Sequence, residues 1–305
     1  MEKESNEKDP PEIFIRREEN EIKVVDMHMH TVYSDGELTP DELIKRASKN
    51  KVKTLAITDH DTILGLKNIT NNQGINIING IEMTAKVDRG RMHILGYDFN
   101  INDSNLNTRL KELRTNSYYA IFAILDILKK DYNIIFDYDD IKEILNSKGS
   151  VGRPHIARLM VKYGYVKSVE EAFLKYLISA HEKIGLSKKG ISYEECINLI
   201  KSANGIAILA HPNQLLLNDH DLEITLKNLI SCGLDGIEVY HSKHSKEEIN
   251  KYLELANKYN LLISGGSDFH GDITKPDIEL GTGCNNNLKI KKLSLLDKIN
   301  ERNKK

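Results

Sequence analysis

Short apolar runs alternate with stretches of helical periodicity along most of this chain. Residues 22–25, 53–58, 75–78, 91–97, 206–210, 236–240 and 261–264 are compact and apolar, as buried strands are. Between them lie candidate helices. Thr39-Pro40-Asp41-Glu42 predicts a helix start, with Thr39 as N-cap, Pro40 in the first turn and Glu42 at capping-box spacing, ending near Asn50. Further helices are expected around 63–69, 193–203, 222–231 and 245–260, with a closing amphipathic helix over 288–299.

The pattern changes between residues 103 and 190. Leu106, Leu110, Leu113, Tyr118, Ile121, Leu125 and Leu128 recur at roughly helical spacing, and 138–145, 154–161 and 169–177 also suit helices. No strand interrupts them. The organisation predicted is a flexible segment over 1–21, an α/β domain built from 22–102 and 191–305, and a helical insertion over 103–190. Strands alternating with helices imply a mainly parallel sheet.

Composition narrows the class. With 305 residues, 40% apolar and 29% charged, the chain suits a globular protein of one large or two ordinary domains. A net charge of -2 offers no global basic field for long nucleic acid, although a local phosphate site is compatible with it. Cys196, Cys232 and Cys284 are scattered, odd in number and outside any CxxC pattern, so idle thiols in a reducing cytoplasm are expected. Residues 1–20 are charged and lack an apolar core, unlike a signal peptide or a membrane span. A monomer without membrane association is the simplest reading.

Candidate chemistry gathers at the strand ends. His28-x-His30 follows the first strand, and residues two apart on a strand share a face, so both imidazoles can reach one metal. Asp35 follows in a Ser-Asp-Gly turn that can bend a carboxylate back toward them. His60, flanked by Asp59 and Asp61, ends the next strand; Glu82, His211, and Asp268 with His270 end others, and His93 lies on a nearby apolar segment. In a barrel of such units the carboxyl ends converge on one rim. Mixed nitrogen and oxygen donors suit zinc, manganese or iron, and a carboxylate such as Glu82 can bridge two ions. Such a cluster lowers the pKa of bound water toward about 7 and clamps attacking and leaving oxygens, a design for phosphate ester hydrolysis. Within the insertion, Gly152-Arg153-Pro154-His155-Ile156-Ala157-Arg158 suits a phosphate grip by Arg153 and His155 at a helix start. It equally suits an ordinary helix start with a solvated arginine.

Together, His28-x-His30, Thr58-Asp59-His60-Asp61, the Gly80-Ile81-Glu82 turn, Ala210-His211-Pro212 and Ser267-Asp268-Phe269-His270 resemble the successive motifs of the polymerase-and-histidinol-phosphatase (PHP) phosphoesterases, over about residues 24–283. The opening motif and Gly-Arg-Pro-His-Ile-Ala are similar to the TrpH/YciV-like branch. The resemblance implies a distorted (β/α)7 TIM-like barrel with two or three divalent ions. Its ligands would be His28, His30, Asp35, His60, Glu82, His93, His211, Asp268 and His270, with Asp59 and Asp61 orienting them. It implies Arg153 and His155 as a phosphate clamp, His155 also as a candidate acid, and His241 as a substrate contact. It further implies release of the 3'-phosphate from nucleoside 3',5'-bisphosphates and, in some members, 5'-3' trimming of short oligoribonucleotides. Histidinol phosphate is the alternative substrate, and a non-catalytic metal-binding module the alternative of another class.

Overall fold

The computed structural model describes residues 24–185 and 190–304, so the expected N-terminal segment lies outside the described residues. Seven strands stand in chain order in one sheet: β1 (Val24–Asp26), β2 (Val52–Ile57), β3 (Asn76–Ala85), β4 (Met92–Tyr97), β5 (Ile206–Leu209), β6 (Gly236–His241) and β7 (Leu262–Gly266). The two edge strands approach each other beyond their regular ends. Met27 N–H donates to Gly265 O at 3.2 Å, Asp268 N–H to His28 O at 2.8 Å and His30 N–H to Phe269 O at 2.9 Å, closing a distorted barrel.

Strand β5 shows how the sequence makes two faces. Ile206, Ile208 and Ala210 join the apolar cluster containing Val25, Met27, Leu95 and Tyr97, while Ala207 and Leu209 join the cluster beneath the surrounding helices. Period-two alternation with both faces buried reads in sequence as an unbroken apolar run. Helix α1 (Pro40–Lys49) starts as expected, with Glu42 N–H donating to Thr39 Oγ1 and Thr39 N–H to Glu42 Oε2. Helix α2 is the short turn Leu64–Lys67.

Three expectations change. Gly80-Ile81-Glu82 is no turn, because β3 runs straight through it for ten residues. Strand β4 is antiparallel to both β3 and β5, whereas the other pairs of this seven-stranded sheet are parallel. The β3–β4 hairpin therefore brings the amino end of β4, with His93, to the rim that other strands reach with their carboxyl ends. The closing helix, α11 below, begins only at Ser294. Before it, Ile290 O accepts a bond from Val25 N–H at 3.0 Å, so this stretch runs beside β1.

Helices α3 (Ser104–Tyr132), α4 (Tyr138–Leu145), α5 (Arg153–Lys162), α6 (Val169–Ala172) and α7 (Ile178–Ile184) fill the interval between β4 and α8 (Tyr193–Ser202). A π-helical turn, Phe173–Leu177, joins α6 to α7. Helix α3 straddles two cores: Leu106, Leu110 and Leu113 pack with the barrel, while Ile121, Ile124 and Leu128 pack with α5–α7. One helix thus contributes to both apolar clusters. Helices α9 (Asp219–Ser231), α10 (Lys246–Lys258) and α11 (Ser294–Arg302), with the small ribbon β8 (Ile278–Glu279) and β9 (Gly283–Cys284), complete the fold. Among the described residues no helix is long and apolar enough to cross a membrane.

Inside the barrel, fully buried Tyr97 on β4 donates its hydroxyl to Met27 O at 2.7 Å. Tyr97→Phe would strand that carbonyl without its partner. We expect a loss of about 1–2 kcal/mol, measured as a lower denaturant midpoint at unchanged m-value.

Candidate metal centre

Buried polar bonds hold the loops at the rim. Asp26, at the end of β1, accepts Ser267 N–H at 2.8 Å and His28 N–H at 3.3 Å on Oδ1, and Gly281 N–H at 2.7 Å on Oδ2. It joins the His28 segment to the turn that carries Asp268. Asp59 accepts Thr31 N–H at 2.7 Å, Thr31 Oγ1–H at 2.7 Å and Ser34 Oγ–H at 2.6 Å. It therefore braces the loop carrying His30 and Asp35. That loop folds back because Gly36 N–H donates to Thr31 O at 3.0 Å, and a Cβ at Gly36 would stand 2.3 Å from His30 O. Two rim residues sit in the left-handed region, Asp61 at φ 51° and Asp268 at φ 57°, backbone strain of the kind found at functional sites.

The nine residues singled out in the sequence converge. Eight of them form three overlapping groups whose candidate donor atoms lie within 4.8 Å of one another: His30, Asp35, His60 and His270; His28, His30, Glu82 and Asp268; His60, Glu82 and His93. His211 adjoins them, with Nε2 2.9 Å from Glu82 Oε1 and 3.3 Å from His93 Nδ1. Glu82 is central. Its Oε2 lies 3.1 Å from Nε2 of both His28 and His30 and 3.4 Å from His60 Nδ1, and its Oε1 lies 2.8 Å from His93 Nδ1. Asp35 stands between His30, His60 and His270 at 3.5, 3.8 and 3.3 Å.

The donor set fits divalent cations. His30 Nε2, Asp35 Oδ1 and His60 Nδ1 are buried with no hydrogen-bond partner among the described residues. Buried polar atoms are normally satisfied, so several of them around one carboxylate point to coordination. Electrostatics agree. Burial alone would raise the Glu82 pKa, yet His60, His28 and His93 hold it well below the usual carboxylate range. Burial lowers His60, His93 and His211 despite Glu82, which leaves their imidazoles neutral and available as ligands.

The remaining expected residues take distinct places. Asp61 accepts Thr84 N–H at 3.0 Å and donates its own N–H to Glu82 O at 2.9 Å, fixing the β3 segment that carries Glu82. Arg153 lines the cleft in front of the cluster, beside Asp35, His60 and His93. His155 does not share that wall. Two residues along a helix is a rotation of about 200°, and the His155 side chain turns instead to a separate cavity with Val32, Gly36 and Arg158. Its Nδ1 accepts Gly152 N–H at 3.2 Å, capping α5, and burial then Arg158 lower its pKa to about 4. It is therefore neutral at pH 7. His241 also stands away from the cleft. It is buried behind Asp268, with Nε2 3.2 Å from Asp268 Oδ2.

Two contributors escaped the sequence reading. Glu238, fully buried on β6, accepts His28 Nδ1–H at 2.9 Å and His211 N–H at 2.8 Å. It fixes the His28 tautomer so that Nε2 faces Glu82. Its signal was a lone acid inside the apolar run Gly-Ile-Glu-Val-Tyr. A register shift in the β6–β7 pairing beside it, with Glu238 opposite Ser264 and Tyr240 opposite Gly265, is a bulge next to the site. Lys275 places Nζ 2.5 Å from Asp268 Oδ2, and no motif announced it.

An imidazole-rich, carboxylate-bridged cluster at a barrel rim defines a metal-dependent hydrolase. The chain belongs to the PHP domain family, whose pattern it matches over residues 26–273. It is 30% identical to a 3',5'-nucleoside bisphosphate phosphatase of Chromobacterium violaceum, over 81% of this chain and 87% of that protein. It is 32% identical to the 5'-3' exoribonuclease Rnm of Escherichia coli, over 86% and 89% respectively. A solved structure of a Chromobacterium violaceum amidohydrolase, with bound sulfate and no metal, is similar at TM-score 0.77 and 27% identity, over 91% of this chain and 96% of that one.

Two measurements probe this centre. Glu238→Gln should weaken metal binding about 10–100-fold in chelator competition, because His28 loses its anionic partner. The metal-free protein should also lose stability as pH falls. Burial holds the folded-state pKa of His270 at about 4 and of His244 at about 3, with His155 equally low, whereas the unfolded chain takes up these protons near the ordinary histidine value. His30 is pulled down by burial but raised to about 9 by Asp268, Glu82 and Asp35, so it is protonated in both states below pH 6 and adds no slope there. Melting temperature after chelation should therefore fall steadily from about pH 6.5 toward pH 4.

Proposed function

We propose that this chain is a metal-dependent phosphatase that removes the 3'-phosphate from nucleoside 3',5'-bisphosphates, with trimming of short oligoribonucleotides from the 5' end as a second activity of the same site. The observation that carries the reading is the set of overlapping donor groups around Glu82, beside a cleft that Arg153 also lines. The names of the two curated relatives support the substrate class. Three overlapping donor groups suit two or three ions, and imidazole with carboxylate suits manganese, iron or zinc.

When bound, the ions would supply a water acidic enough to ionise near neutral pH and positive charge for the phosphoryl oxygens. His28, His30, Asp35, His60, Glu82, His93, His211, Asp268 and His270 would hold them. The other residues set this arrangement in place. Glu238 orients His28, Asp59 fixes the loop of His30 and Asp35, and His241 and Lys275 hold Asp268. Arg153 offers a planar set of donors to a substrate phosphate. Because no step depends on a fold-wide basic field, short substrates suit the net charge of -2.

Purified protein with manganese should release phosphate from adenosine 3',5'-bisphosphate, and His28→Ala or chelation should reduce that rate at least about 1,000-fold, as loss of metal catalysis does. A histidinol phosphate assay run in parallel decides the alternative substrate. Turnover of histidinol phosphate alone would replace the nucleotide reading, and no turnover of any ester by metal-loaded protein would overturn the phosphatase.

A further inference from the structure

Arg158 closes the Gly-Arg-Pro-His-Ile-Ala-Arg motif and stands outside the donor set. It lies on α5, whose Ile156, Ala157, Leu159 and Met160 are buried in the helical layer. Its half-buried side chain reaches out of that layer to the barrel rim. There Nη1 donates to two neutral oxygens, Asp35 O at 2.7 Å and Thr274 Oγ1 at 3.1 Å. These acceptors belong to two different rim loops. One runs from His30 to Glu37 and carries Asp35; the other follows β7 and carries Asp268 and His270.

The two loops are clasped beside Arg158. Glu37 Oε1 accepts Thr274 N–H at 2.6 Å and Thr274 Oγ1–H at 2.7 Å, and Ile273 N–H lies 3.1 Å from both Glu37 oxygens. Because the Thr274 hydroxyl gives its proton to Glu37, its lone pairs can accept from Arg158. Lys275 N–H closes a turn onto Gly271 O at 3.1 Å, which keeps Thr274 beside the His270 loop. His270 is directed locally: Nδ1 lies 2.9 Å from Asp268 O, and Nε2 faces Asp35 Oδ1 at 3.3 Å. Asp35 and His270 share one donor group with His30 and His60. The helical layer is seated on the same Asp35 loop a little upstream. Ser150 N–H donates to Tyr33 O at 2.7 Å, and a Cβ at Gly149 would stand 1.9 Å from that oxygen.

We propose that Arg158 is a positioning residue for one ion: from the helical layer it holds the Asp35 loop and the His270 loop at the spacing that the group of His30, Asp35, His60 and His270 requires. The group of His60, Glu82 and His93 is set by β2, β3 and β4 and needs no such brace. The inference rests on the metal-dependent reading above, whatever the substrate. Charge and geometry make opposite forecasts for it. A guanidinium beside a cation site repels the ion, so charge alone would make removal of Arg158 tighten binding. Loss of a residue that orients ligands weakens binding.

The test titrates manganese into the chelator-treated full chain and follows the free ion by electron paramagnetic resonance. In Arg158→Met one class of site should weaken about 10-fold while the other classes keep their affinity. Arg158→Lys retains the charge and a donor and should recover part of that loss. Thr274→Val removes the shared hydroxyl without changing charge. It should weaken the same class, and its effect should shrink in the Arg158→Met background, as for two partners in one network. If Arg158→Met does not fold, Thr274→Val decides by itself. Unchanged or tighter binding by Arg158→Met, equal weakening of every class, or no selective effect of Thr274→Val overturns the inference and leaves the metal-dependent reading standing. A wild-type protein that takes up no manganese overturns both.

Discussion

The fold is arranged around one carboxylate, Glu82, surrounded by imidazoles from β1, β2, β4 and β5 or the residues that follow them. A buried carboxylate is costly unless it is paired, and Glu82 is almost wholly removed from water. Its nearest partners are His28, His30, His60, His93 and His211, far apart in sequence and brought together only when the barrel closes. Closure is therefore a condition for satisfying the site, and the site helps to specify which strands must meet. The polar braces follow the same logic. Asp26 and Glu238 each accept bonds from donors on separate segments, and Asp59 ties the end of β2 to the loop of Thr31 and Ser34.

Much of this was legible from residue order. Apolar runs ending in His or Asp marked the rim, and the capping box at Thr39 and Glu42 marked the first helix. Strand direction was not legible in the same way. An apolar run such as 92–97 carries no signal of whether it runs parallel or antiparallel, and only the hairpin with β3 fixes it. Gly80 suggested a turn by composition, but hydrogen bonding on both sides of β3 overrides a local preference. The 288–293 stretch has helical spacing yet is not helical, and its Ile290 O accepts a bond from Val25 N–H on β1, which satisfies an otherwise unmet backbone group.

For the candidate site, ligand types were easier to find than their supports. Histidines and carboxylates at strand ends form a recognisable series, whereas Glu238 acts through one long-range bond to His28. A residue 210 positions away supplies no periodicity or spacing to detect. His155 is a different case. Its sequence neighbourhood suggests a phosphate grip shared with Arg153, and nothing in that local pattern announces the capping bond by which Gly152 N–H engages its imidazole ring.

Helix α3 carries a consequence for the cleft as a whole. Its 29 residues extend roughly 43 Å as one continuous rod. Leucines near one end are embedded in the barrel, and isoleucines toward the other in the helical layer. The floor and the roof of the cleft thus share a single girder, so the gap between them is set by the span of a helix rather than by a flexible joint. Selection by reach, like a caliper locked at one opening, is what such a scaffold imposes on whatever enters.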